Sequence, residues 1–285
     1  MSAFAVDWLG LREPFDAAAR SAALAAGFAA ALPPAPRVID LGSGTGSNLR
    51  YLAPRLGGPQ AWLLTDHDGA LLDAVPPTTR RFATARGWTL REGCGALRLD
   101  APSGPVRVRR HRLDLARELN AVPFDEADAV TGSALLDLTS AAWLDALAAR
   151  CAAARLPVLF ALTYDGPVAW RPAADGDARV KAAFDAHQAG DKGFGPALGR
   201  DAALYLAGAL QAAGFAVRLD RSDWRIGSGD PAMLLAMVEG VALAARGAME
   251  PDAVDAWAAR RRAEAERGGL ELRIGHVDLL ALPPG

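Results

Sequence analysis

The chain has 285 residues, 51% of them hydrophobic and 22% charged, with a net charge of −2. This is the balance of an ordinary globular protein able to bury a sizeable core, and it gives no electrostatic case for nucleic acid or an anionic membrane as partner. Cys94 and Cys151 are too few and too far apart for a disulfide framework or a zinc site, so no metal is expected.

The start of the chain mixes Asp7, Arg12 and Glu13 with apolar residues, unlike a signal peptide. The apolar run 232–245 contains Glu239 and is shorter than a membrane span. The expectation is a soluble cytoplasmic protein, and the abundance of Ala and Arg points to a bacterial genome rich in GC. Residues 8–32 read as one helix with Pro14 in its first turn and Phe15, Ala19, Ala22, Leu24 and Phe28 on its apolar side. Arg12 and Arg20 on it either face a ligand carboxylate or form a solvated face.

After the proline-rich break at 33–36, Val38, Ile39 and Leu41 form a short apolar strand. Gly42, Gly44 and Gly46 follow it, at positions where main chain can approach a ligand without Cβ atoms in the way. Residues 48–56 have helical spacing, so the turn opens directly onto a helix N-terminus that attracts anionic groups. The spacing is not that of the dinucleotide fingerprint: counted from Gly42 the third glycine falls on Ser47, and from Gly44 on Leu49. A second strand, 61–65, ends at Asp66, twenty residues beyond Gly46, the interval expected for an acid that holds a ribose diol. His67 follows, and Asp68 reads as the cap of the next helix.

That helix, 71–87, is expected to break at Pro76-Pro77. Two alternating runs, 96–100 and 106–115, flank a Pro-Ser-Gly turn and predict a hairpin leading into strand three. Its arginines, among them Arg107, Arg109 and Arg110, lack interleaved aromatics and read as a solvated strand face. Strand four, 127–131, is followed by Gly132, Ser133 and Asp137, and strand five, 157–163, by Tyr164. Residues 165–200 read as an irregular insertion; His187, Asp191, Lys192 and Phe194 among its glycines suggest a shaped loop, either a substrate loop or a structured surface connection. A helix from Asp201 to Gly214, strand six at 215–220, helices starting at Pro231 and Pro251, and a last strand over 270–282 complete the chain. The alternation of that strand slips by one residue near Gly275-His276, which predicts a bulge. His276 is expected to be a hydrogen-bonded structural residue.

The run Asp40-x-Gly42-x-Gly44-x-Gly46 resembles motif I of the class I S-adenosylmethionine (SAM)-dependent methyltransferases, Asp66 their motif II, and 127–137 their motif IV with the segment after it. The resemblance covers roughly residues 37–165 and identifies no subfamily. It implies a doubly wound α/β fold with a seven-stranded, mostly parallel sheet in the order 3-2-1-4-5-7-6, the last strand antiparallel. The cap would be 1–36 and the methyltransferase domain 37–285, with the insertion at about 165–200. It further implies that Arg20, Asp40, Gly42, Gly44, Gly46, Asp66, His67, Asp114, Leu115 and Ser133 bind SAM, the product being S-adenosylhomocysteine. Asp114 would receive the adenine amino group.

The Pro-Pro-(Tyr/Phe) element of the adenine-N6 and glutamine enzymes is absent after strand four, where Ser133-Ala134-Leu135-Leu136 stands, and neither cysteine follows a proline as cytosine-C5 chemistry requires. The expected acceptor is therefore a small molecule methylated on O, N or C, by a monomer or homodimer. His187, Asp137, Asp191 and Tyr164 are candidate general bases, His187 foremost, and Asp191, Lys192 and Phe194 candidate substrate contacts. An NAD-type oxidoreductase and a catalytically silent SAM-binding module are the alternatives.

Overall fold

The computed structural model describes residues 5–93 and 95–285; Cys94 lies outside them. Ten strands form one sheet: β1 Arg37–Leu41, β2 Gln60–Asp66, β3 Thr89–Gly93, β4 Ala96–Ala101, β5 Gly104–Arg112, β6 Ala129–Ser133, β7 Val158–Arg171, β8 Ala216–Arg221, β9 Trp224–Ile226 and β10 Glu271–Leu282. The helices are α1 Val6–Ala19, α2 Ala22–Ala30, α3 Ser47–Leu56, α4 Gly69–Ala85, α5 Leu115–Glu118, α6 Ala141–Ala153, α7 Asp177–Gln188, α8 Ala202–Ala212, α9 Pro231–Ala245 and α10 Pro251–Glu266.

The strand order is β3-β4-β5-β2-β1-β6-β7-β10-β8, with β9 beside β10. The sheet therefore has ten strands and not the seven expected. The expected hairpin is present as β4 and β5, but β3 adds to its free edge with Leu90 opposite Leu99, and β9 pairs Trp224 with Ile274. Without β3, β4 and β9, the other seven strands run β5-β2-β1-β6-β7-β10-β8, parallel from β5 to β7, with β10 antiparallel to both neighbours. The central strands β1 and β6 are covered on both faces and buried over four of their five residues each, Asp40 and Thr131 included. Strand order reverses at β1, between β2 and β6, so the ligand crevice lies off the carboxyl ends of these strands.

Three local expectations are corrected. Residues 8–32 form two helices, α1 and α2, and Pro14 lies inside α1. Ser21 makes the break: its Oγ accepts the Leu24 N–H at 3.1 Å and donates to Asp220, while its own N–H donates to Asp278 at 2.9 Å, so the corner is pinned to the sheet. Pro76-Pro77 does not break α4, which runs through both prolines. The Leu72 carbonyl, deprived of the N–H that Pro76 lacks, accepts from Arg110 Nη1 at 2.8 Å. The stretch 165–200 is mostly regular, since β7 continues to Arg171 and α7 follows. Strand β10 pairs with β7 along its full length, from Ala281 opposite Val158 to Glu271 opposite Arg171, and distant pairing of this kind leaves no local signal.

The register of that pair shifts between Ile274 and His276, at the bulge predicted from the sequence. A Cβ at Gly275 would lie 2.2 Å from an Asp165 carboxylate oxygen and 2.7 Å from the Pro167 ring. Gly275→Ala should therefore destabilise the protein by about 1–3 kcal/mol, in the range of overpacking, and Arg110→Met by about 1–2 kcal/mol through the orphaned Leu72 carbonyl. Urea denaturation of the two variants measures both, and wild-type midpoints would contradict these roles.

Candidate functional site

Gly42, Gly44 and Gly46 take φ values of +64°, +52° and +84°, the left-handed region that side-chain-bearing residues avoid. The turn so formed passes from β1 into α3 and is tied to β2: the Gly44 N–H donates to Asp66 Oδ2 at 2.8 Å, and the Asp68 N–H to Asp66 Oδ1 at 3.0 Å. Each Asp66 oxygen keeps a second lone pair for a ligand hydroxyl. The cleft at this point, about 870 Å³, is lined by Gly42, Gly44, Asp66, His67, Leu115 and Ser133 among the residues expected from sequence. Leu9 and Arg12 of α1 close one side, and Leu71, Leu113 and Leu135 form an apolar wall.

Asp40 and Arg20 lie behind the turn. Asp40 is fully buried and its Oδ1 accepts from Asn48 Nδ2 at 2.7 Å, while Asn48 Oδ1 accepts from Arg20 Nη1 at 2.8 Å. Burial pushes the Asp40 carboxyl up to about 7, against the pull of the Asn48 hydrogen bond and the Arg20 charge. Arg20 stacks 4.0 Å over the Tyr51 ring and lines a hollow that shares Asp16, Ser47 and Ser133 with the cleft. Among the described residues, Asp40 Oδ2 and Arg20 Nε and Nη2 are buried without a hydrogen-bond partner. Asp114 follows β5 as expected, but its carboxylate caps α5, accepting the Ala116 N–H at 3.1 Å, and does not line the cleft.

A second cleft, about 1290 Å³, adjoins the first, with Arg12, Ala134 and Leu138 lining both. Ala134 at the junction holds φ +51° and Leu162 in the second cleft +57°, conformations that cost side-chain-bearing residues energy and gather at functional sites. Arg12 is held over the Trp224 ring at 4.8 Å, with Nε and Nη2 donating to the Asp16 carboxylate at 3.0 and 3.2 Å.

Three of the four candidate bases, Asp137, Tyr164 and His187, line this second cleft, in different states, and Asp191 does not. Burial pushes Asp137 up to about 6, and its Oδ1 has no partner among the described residues. The Tyr164 hydroxyl is engaged with the Gly166 carbonyl and Asp185, and burial with the adjacent carboxylate holds its pKa above the ordinary range. His187 is exposed, and partial desolvation with the Lys192 charge lowers its pKa. Asp191, Lys192 and Phe194 line neither cleft. Asp191 accepts the Gly193 and Gly195 N–H groups, Lys192 donates to the His187 carbonyl at 2.8 Å, and Phe194 packs edge-on against Trp143 at 5.3 Å.

Sequence reasoning passed over Trp8, Trp224 and His276, which also line the second cleft. His276, expected to be a hydrogen-bonded structural residue, donates its backbone N–H to Asp223 Oδ1 at 3.3 Å and accepts the Ser222 N–H on its carbonyl at 2.9 Å, while its side-chain Nδ1 has no partner among the described residues. Burial and the Arg12 charge push its ring down to about 3, so it is neutral. The signal was available in the bulge, because bulges re-aim the side chain beside them. Among the described residues there is no group of three or more His, Cys, Asp or Glu able to hold a metal ion, and no helix long and apolar enough to cross a membrane.

No protein-family model and no curated protein matches the sequence. Solved structures of similar chain course include a SAM-dependent methyltransferase from Thiobacillus denitrificans in complex with S-adenosylhomocysteine, at 17% identity and TM-score 0.44 over 98% of this chain and 99% of that one. Another is its counterpart from Geobacter sulfurreducens, also with S-adenosylhomocysteine, at 16% identity and TM-score 0.43 over 93% and 92%. A cyclopropane-fatty-acyl-phospholipid synthase-like protein from Lactobacillus casei matches at 15% identity and TM-score 0.48 over 98% and 94%. Likeness at this level assigns neither activity nor substrate.

The raised pKa of Asp40 has a consequence for stability. A carboxyl whose pKa is higher folded than unfolded contributes stability that is complete below about 4 and is lost as pH rises through about 7. Asp40→Asn should remove this loss. Urea denaturation at pH 5 and pH 8.5 should show wild type losing more stability over the interval than the variant, whereas equal losses would place the titration elsewhere.

Proposed function

We propose that the protein is a SAM-dependent methyltransferase acting on a small-molecule acceptor. The observation that carries this reading is the 2.8 Å hydrogen bond from Gly44 N–H to Asp66 Oδ2, which unites a three-glycine turn and a ribose-type acid in one cleft. The residues present fit the cofactor. Asp66 receives the ribose hydroxyls on its remaining lone pairs, and His67 stands beside it. The turn, from Gly42 through Gly44 to Gly46, allows close approach of the methionine portion. Arg20 offers its unpartnered Nε and Nη2 to the carboxylate, and Asp40 orients Asn48 behind it. Leu115 and its apolar neighbours sheathe the adenine, Ser133 faces the inner end of the cleft, and Asp114 reaches the adenine amino group by releasing the Ala116 N–H.

When bound, SAM supplies a methyl group already activated by its sulfonium. The work left to the protein is to hold the acceptor in line and exclude water, an effect that can supply about 7–11 kcal/mol. Of the four candidate bases, Asp137 is best prepared, since its pKa of about 6 leaves it ionised at neutral pH and its free oxygen lines the second cleft. Residues 1–36 act as the cap over the site and 37–285 as the catalytic domain. A bacterial cytoplasmic setting accords with the composition.

Calorimetric titration with S-adenosylhomocysteine and with NADH tests the assignment. S-adenosylhomocysteine should bind, and Asp66→Ala should weaken it at least tenfold. Binding of NADH without S-adenosylhomocysteine would favour an oxidoreductase instead. Methyl transfer from labelled SAM to any compound in a metabolite extract would exclude a silent module.

A further inference from the structure

The second cleft has the character of a pocket for one chemical class, and the inference rests on the methyltransferase reading. It opens onto the cofactor cleft through Ala134 and Leu138, which line both, so a molecule held in it faces the inner end of the cofactor site. Its walls are aromatic and apolar. Trp8 meets Trp224 edge-on with centroids 6.4 Å apart, Tyr164 meets Phe184 edge-on at 5.6 Å, and Met237 of α9 completes the enclosure. Edge-to-face walls of this kind accommodate a flat ring.

Three polar groups select what the ring carries. Asp137 and His276 are both more than nine-tenths buried, and each has a side-chain atom without a partner among the described residues. Asp137 Oδ1 can only accept while ionised, and the neutral His276 ring donates at one nitrogen and accepts at the other. Arg12, the third, already holds the face of Trp224, so a second cation in the cleft would meet like charge. A ligand carboxylate would meet Asp137. The group that fits is one that is uncharged on entry, donates a hydrogen and gains from a guanidinium as it loses its proton.

We propose that this cleft is the acceptor pocket and that it takes a small aromatic compound bearing a phenol-type hydroxyl. The ring lies among Trp8, Phe184 and Trp224, and the hydroxyl donates its one hydrogen to Asp137 while its oxygen accepts from the His276 ring N–H. In the reaction the O–H bond breaks and its proton passes to the Asp137 carboxylate. The oxygen forms the new bond to the methyl carbon, and the electron pair of the broken C–S bond stays on sulfur. Arg12 stabilises the oxygen while it carries charge. His276 is a positioning residue in this scheme.

The test is calorimetry on the full chain, with and without S-adenosylhomocysteine, using three probes: 2-naphthol, its methyl ether and (2-naphthylmethyl)trimethylammonium. 2-Naphthol should bind at least tenfold more tightly than either of the others, because only it can donate a hydrogen bond to Asp137. Ala236→Trp, which fills the cleft from half-buried α9, should weaken 2-naphthol at least tenfold and leave S-adenosylhomocysteine affinity within twofold. Val241→Phe serves the same purpose if the first variant does not fold. S-adenosylhomocysteine binding with no preference for 2-naphthol over its ether, or with preference for the cation, would overturn the acceptor class and leave the methyltransferase reading standing. Absence of S-adenosylhomocysteine binding would remove the methyltransferase reading and this proposal together.

Discussion

A left-handed turn without side chains, held by one carboxylate from the neighbouring strand, is the constraint on which the rest of the molecule depends. Three glycines at positive φ leave the main chain between Gly42 and Gly46 open to close approach. Glycine also gives this backbone its freedom to disorder. Asp66 offsets that by accepting the Gly44 and Asp68 N–H groups with its two oxygens, so the turn after β1 and the start of α4 share one anchor. The geometry of the cleft is thus set before any ligand arrives, as pre-organised binding requires.

The N-terminal helices are joined to this frame by charge. Arg50 of α3 is buried, donates to the Thr45 carbonyl inside the turn, and pairs through both Nε and Nη2 with Glu13 of α1 at 2.7 and 2.6 Å. Arg12 pairs with Asp16, whose other contact is the Trp224 indole N–H at 3.0 Å. Burial raises the Asp16 pKa, opposed by the charge and hydrogen bonds of Arg12 and by the Trp224 hydrogen bond. Pairs of this kind add little net stability but are costly to break singly. Their effect is to fix α1 across the two clefts, with Leu9 over Gly44 on one side and Trp8 against Trp224 on the other.

The far side of the site is set by the long antiparallel pair β7–β10. Gly275 admits Asp165 and Pro167 where a larger residue would collide, and the register shift there turns His276 into the second cleft. The same pairing extends β7 to Arg171 and carries α7 into position, where Asp177 accepts from the Trp257 indole and from the fully buried Arg261. The aromatic cleft is therefore a product of contacts between segments about a hundred residues apart in the chain.

What the sequence determined by itself was whatever rests on short-range spacing. The glycine turn, the acid twenty residues on, the hairpin of β4 and β5 and the bulge at Gly275 all follow from residue types at fixed intervals, whereas the order of the seven central strands was implied only by the resemblance to the methyltransferases. What tertiary structure decided was whatever rests on distant partners. Arg110 rescues the prolines of α4, Ser21 breaks the first helix by bonding Asp220 and Asp278, and β3 joins a free edge. The polar loop from Asp191 to Phe194 reads locally as a binding segment, yet it folds away onto Trp143. Trp8, Trp224 and His276, plain core residues by pattern, converge on a cavity, because a cavity is defined by side chains that meet across the fold and no interval along the chain encodes that meeting.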